Sequence, residues 1–70
     1  TPYREDALFY LLDSSYELAI NSIDSKKLER LNNAKNIYEE LMEVYPESKY
    51  LDKSNKLLKT IDLEITTFAN

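Results

Sequence analysis

The chain has no glycine, no cysteine and no histidine, and only two prolines in 70 residues. With no cysteine there is no disulfide framework and no thiol nucleophile. With neither cysteine nor histidine, the usual zinc sites and a histidine general base are excluded as well. A di-iron bundle loses its support for the same reason, since it draws on Glu-x-x-His pairs. Missing cysteine assigns no compartment. No apolar run approaches the ~20 residues of a membrane span, and no basic-then-apolar signal segment opens the chain. It begins "TPYRED" without an initiator Met, so the expectation is a piece of something longer, from which a targeting signal has been lost.

Charge of one sign is scarce too. Nine basic residues stand against thirteen acidic ones, interspersed rather than blocked. Phosphate neutralisation needs clustered Lys and Arg, so nucleic acid is not an expected partner. Seventy residues make one small domain, whose single core supplies a margin of only ~3–5 kcal/mol.

What is present is abundant Leu, Glu, Lys and Ala. Without glycine to interrupt them, these read as an all-α chain. Three helices are expected, over about 3–21, 25–45 and 48–66. Pro2 suits a first turn, where its missing N–H costs nothing, and Thr1 is placed to cap it. "NSIDS" is a turn-forming connection in which Asp24 or Ser25 can cap the second helix. Pro46 stops that helix, because the residue before proline avoids the α region. Ser48 is placed to cap the third. "YPES" thus packs a stop and a start into four residues and forces an antiparallel hairpin.

At about 100° per residue the helices differ. In the second, Leu28, Leu31, Ala34, Ile37, Tyr38, Leu41, Met42 and Tyr45 share one arc. In the third, Leu51, Ser54, Leu57, Leu58, Ile61 and Ile65 form a stripe. The first carries two stripes, Tyr3/Ala7/Leu11/Ser14/Leu18 and Phe9/Leu12/Tyr16/Ile20/Ile23, with Asp6, Asp13 and Glu17 left as a narrow polar strip. A helix apolar nearly all round is buried on both sides, yet two companions can cover only one.

Sliding the chain against itself by 47 positions sets Tyr3 on Tyr50, Ala7 on Ser54, Leu11 on Leu58 and Glu17 on Glu64. Helices one and three then hold equivalent places in a stacked array, where small residues Ala7, Ala34 and Ser54 mark close approaches. The third helix, one-sided, reads as a terminal cap; the first reads as an interior element whose upstream neighbour is missing. The stripe Phe9, Leu12, Tyr16, Ile20 and Ile23 is expected to be exposed in this stretch alone, open to the missing repeats or to self-association.

Candidate chemistry is sparse. Glu39, Glu40 and Glu43 lie close enough on one helix to share a metal, but a solvated face cannot raise a carboxylate pKa for acid–base work. No catalytic, metal or cofactor residue is assigned, and no enzyme is expected. The tyrosines around the turn read as packing or, less simply, as a ligand box. Lys27, Arg30 and Lys35 border the apolar arc of the second helix. Their stems either snorkel over the neighbouring helix or their heads meet an acidic partner, Arg30 best of all because its fork pairs with carboxylates. Arg4 is a lesser candidate. Asn32, Asn33 and Asn36 can hydrogen-bond an extended peptide.

"AKNIYEELMEVYPESKYLDKS" carries a resemblance. Ala34, Tyr38, Leu41, Tyr45, Pro46, Ser48, Tyr50 and Ser54 fall where the tetratricopeptide repeats of BamD/ComL-type outer-membrane assembly lipoproteins place a small residue, an aromatic, an apolar residue, the "YP-x-S-x-Y" turn and a second small residue. The opening "TPYREDALFYLLDSSYELA" resembles the second helix of the preceding unit, in the manner of Bacteroidota-like versions. Ser54 departs from the usual alanine, and the spacing of 47 exceeds the 34-residue unit. The resemblance implies a tetratricopeptide-like antiparallel array at the C-terminal end of a longer solenoid. It implies a periplasmic, non-catalytic scaffold whose partner is the periplasmic part of a β-barrel insertase, held to the outer membrane by an upstream lipid anchor. The alternative is a tetratricopeptide module of another kind, a peptide-binding adaptor or a cell-envelope regulator.

Overall fold

A computed structural model describes the backbone of residues 4–69 and the side chains of residues 4–68. The expectations for Thr1, Pro2 and Tyr3 lie outside them. Three helices occupy almost all of it: α1 (Arg4–Ile20), α2 (Asp24–Val44) and α3 (Leu51–Ala69), with no strand among the described residues. The contacts fix their directions. Arg4 reaches Glu40 while Arg30 reaches Ser22, so α1 and α2 are antiparallel. Tyr38 meets Asn55 while Lys27 meets Glu64, so α2 and α3 are antiparallel too. The α1–α2 interface is the more extensive of the two. The body is elongated, 38 × 17 × 15 Å, close to the ~31 Å that the 21 residues of α2 must span at 1.5 Å each.

Both reversals are made without a left-handed residue: no positive φ occurs among the described residues. At the first connection the α2 N-cap is Ile23, whose carbonyl accepts from the N–H groups of both Lys26 and Lys27. This corrects the expected cap at Asp24 or Ser25. With the helix starting one residue early, Asp24 becomes its first-turn carboxylate, favourable toward the N-terminal dipole without capping.

At the second connection α2 ends at Val44, and Tyr45 still donates to the Leu41 carbonyl before Pro46 breaks the run. The third helix begins at Leu51 rather than Ser48, because residues 48–50 are used in the turn. Ser48 Oγ accepts from the Tyr50 N–H at 3.0 Å, and the Ser48 carbonyl accepts from the Leu51 N–H. Ser48 therefore serves the entry to α3 from just outside it. At its far end the helix passes Thr66 and runs to Ala69.

The core is Leu8, Leu12 and Ala19 of α1, Leu31, Ala34, Ile37 and Leu41 of α2, and Ile61 of α3. Leu12, Leu31, Leu41 and Ile61 are wholly buried, each contributing about 1.5–3 kcal/mol relative to exposure. Phe9, Tyr16, Tyr38, Met42, Tyr45, Leu57 and Ile65 pack around them. Ala34 and Ser54 have no exposed surface, but Ala7 is exposed, and the small buried residue of α1 is Ala19.

The two-sided character of α1 holds with its faces exchanged. Leu12 was expected in the open stripe but is wholly buried. Phe9 stacks on Tyr50 with ring centroids 4.2 Å apart, and Tyr16 is packed against the core. Of that stripe, Ile20 and Ile23, at its far end, are exposed. The open face is instead the other one, Ala7, Leu11 and Leu18, with Tyr10 beside it; Leu11 is 48 % and Leu18 55 % exposed. The physical reason is the position of the second turn, which lies against the α1 N-terminus on the Phe9 side.

Candidate functional site

On the side of α2 away from α3, α1 and α2 enclose an open groove of ≈600 Å³ lined by Leu18 of α1 and by Lys26, Glu29, Arg30, Asn32, Asn33 and Asn36 of α2. One helix face supplies the polar wall, since positions 26, 29, 33 and 36 recur at helical spacing. The Arg30 guanidinium sits at one end and donates from Nη1 to Ser22 Oγ at 2.6 Å, while that hydroxyl donates to the Leu18 carbonyl at 2.5 Å. This chain ties the first connection to α2 and holds the Arg30 head beside the groove. Lys26 and Arg30 outnumber Glu29, so the groove is cationic within a chain of net charge −4.

The expected partner-contact residues divide into three groups. Arg30, Asn32 and Asn36 come together in the groove, where Asn33 joins them. Lys27 and Lys35 turn to the opposite flank and pair with α3: Lys27 Nζ lies 3.3 Å from Glu64 and Lys35 Nζ 2.9 Å from Asp62. The Asp62 carboxylate holds the Lys35 ammonium above the usual lysine range, chiefly by hydrogen bonding. Arg4 lies 3.8 Å from Glu40, both half exposed. Leu18, Lys26 and Glu29 were not anticipated. Lys26 and Glu29 were legible in the spacing of the polar face, whereas Leu18 was not, because it reaches the groove from another helix.

A second constellation joins the α1 N-terminus to the α2–α3 turn. Glu5 Oε2 accepts from Ser48 Oγ at 2.5 Å and from the Lys49 N–H at 2.9 Å. Asp6 accepts from the Tyr50 hydroxyl and pairs with Lys49 Nζ at 3.0 Å. The Tyr50 hydroxyl, and then Lys49, hold the Asp6 carboxyl below the usual carboxylate range. Asp6 in turn holds the Tyr50 hydroxyl and the Lys49 ammonium above theirs. Tyr38 donates to Asn55 Oδ1 at 2.6 Å. Tyr38 and Tyr50 are thus packing residues whose hydroxyls have specific acceptors, and Tyr45 packs against the core.

Among the described residues no three carboxylates come together so as to hold a metal ion, and no helix is long and apolar enough to cross a membrane. No family model, curated protein or solved structure matches the chain.

Proposed function

We propose that this chain is a non-catalytic, protein-binding helical scaffold: the insertase-docking end of an outer-membrane β-barrel assembly lipoprotein, acting on the periplasmic side. The tetratricopeptide-like turn "YPESKY" and its small residues support the family reading. The α1/α2 groove is the observation that carries the binding role. It is open along one face, cationic at the Lys26/Arg30 end, and lined by side-chain amides that donate and accept together. A protein segment with an acidic residue seated at Arg30 and its backbone along the asparagines fits that chemistry.

The test is binding of the chain to the periplasmic domains of a β-barrel insertase. Arg30→Glu is expected to weaken binding at least about tenfold, by reversing charge at a bidentate site, while leaving helicity intact. Ser22→Ala removes the internal bond to Arg30 without altering the charge of the groove, and should bind nearly as well as the parent. Equal binding by Arg30→Glu would remove this site. The three groove asparagines also favour a second reading, a generic tetratricopeptide peptide-binding adaptor. It predicts capture of extended acidic peptides with no affinity for the insertase.

A further inference from the structure

The open face of α1 is patterned in a way the groove does not explain. Ala7, Leu11, Ser14 and Leu18 follow one another at spacings of four, three and four, the seam repeat of helices that pair by interlocking side chains. Small and large residues alternate along it: Ala7 and Ser14 are seven apart, and so are Leu11 and Leu18. Leu11 and Leu18 are 48 % and 55 % exposed and Tyr10 is 73 % exposed, all on a helix whose opposite face is already in the core.

We propose that this seam binds a second copy of the same chain, α1 against α1, antiparallel. The register decides both partner and direction. With the two-fold axis between residues 12 and 13, Leu11 of one copy faces Ser14 of the other, and Ala7 faces Leu18. Every large side chain then meets a small one, the arrangement that lets helices approach closely and interlock. A parallel pair would set leucine on leucine and leave gaps at Ala7 and Ser14. The antiparallel register also brings Tyr10 of one copy near Glu17 of the other, giving the hydroxyl an acceptor. The two Glu17 carboxylates stay about 13 Å apart along the axis, by the helical rise. The seam itself carries no charge to desolvate. α1 has 17 residues, about 25 Å of contact. A single pair of that length gives a small interface and hence a weak, reversible dimer. The dimer covers Leu18, the α1 residue of the groove, and leaves the α2 wall open; it rests on the α1 pattern and not on the function proposed above.

Sedimentation equilibrium of the 70-residue chain over a wide concentration range should show monomer and dimer. Leu11→Glu lies on an exposed face, so it should fold with unchanged helicity and raise the dimer Kd at least about tenfold. Because the chain has no cysteine, direction can be read by oxidation. An equimolar mixture of Ala7→Cys and Leu18→Cys should give the mixed disulfide. Leu18→Cys alone should give none, its two positions lying about 16 Å apart along the axis. A parent chain that stays monomeric throughout overturns the proposal, even if α1 binds a helix from some other protein. So does a Leu11→Glu chain that dimerises as well as the parent, or a Leu18→Cys chain that cross-links to itself.

Discussion

Ser54 is wholly buried on α3, and its hydroxyl has no hydrogen-bond partner. It lies on the inward stripe of α3, seven residues before Ile61. Removing the hydroxyl with Ser54→Ala should therefore stabilise the protein. A buried, unsatisfied polar group costs about 1–3 kcal/mol, and alanine in a helix interior is better than serine by about 0.5 kcal/mol. Against this stand the few dispersion contacts of one oxygen, a few tenths of a kcal/mol. The net expectation is a gain of about 1–3 kcal/mol. For a domain of this size 1 kcal/mol moves Tm by roughly 4–8 °C, so Tm should rise by at least about 4 °C and by as much as about 20 °C. The assay is thermal and urea unfolding followed by circular dichroism, in a Leu11→Glu background so that concentration-dependent association does not contribute. Ser54→Val is the control: it also removes the hydroxyl but adds volume at a closed contact, and should lose about 1–3 kcal/mol through overpacking. A lower or unchanged Tm for Ser54→Ala would refute the reasoning, because the hydroxyl must then have a stabilising acceptor.

Leu12→Ala should cost about 2–5 kcal/mol, most of the ~3–5 kcal/mol margin of so small a domain, whereas Leu11→Ala, one residue away on the open face, should change the stability of the monomer by less than about 0.5 kcal/mol; urea denaturation at protein concentrations low enough to keep the chain monomeric separates the faces of α1 directly. The turn latch should depend on pH at both ends. Asp6 is depressed in the folded chain, so its contribution is present above the ordinary aspartate pKa of about 4 and is lost as pH falls through the lower folded value. Tyr50 and Lys49 are raised, so theirs is present below about pH 10 and is lost as pH rises through the folded values. The Tm difference between the parent and Asp6→Asn should accordingly be largest near neutral pH and shrink below about pH 4 and above about pH 10; a difference independent of pH would show that the latch does not titrate as described.

The existence and order of the helices were written in local features. Leu31, Ala34, Ile37 and Leu41 sit on one face of a helix that is charged elsewhere, so their burial could be read from period alone. Pro46 likewise ends α2 for a reason contained in its own ring. The groove was half visible, because Arg30, Asn32 and Asn36 share an element, and a residue's neighbours on its own helix follow from arithmetic. Lys27 and Lys35 border the same apolar arc, yet they turn to Glu64 and Asp62 on α3. That choice depends on which flank the third helix occupies, and no spacing within α2 specifies it.

Period and punctuation by themselves determined three helical segments, two sharp connections and most of the inward residues of α2 and α3 (Leu51, placed on the α3 stripe, is exposed), because each of these is set by residues within a turn or two of one another. Which side of α1 meets the core was decided only when the chain closed. Both of its stripes are apolar, so its own pattern offers little contrast, and the decision falls to contacts more than forty residues away: Glu5 on Ser48, Asp6 on Tyr50 and Phe9 stacked on the Tyr50 ring. These draw the second turn over the α1 N-terminus and place Phe9, Leu12 and Tyr16 inside, leaving Leu11 and Leu18 to water or to a partner.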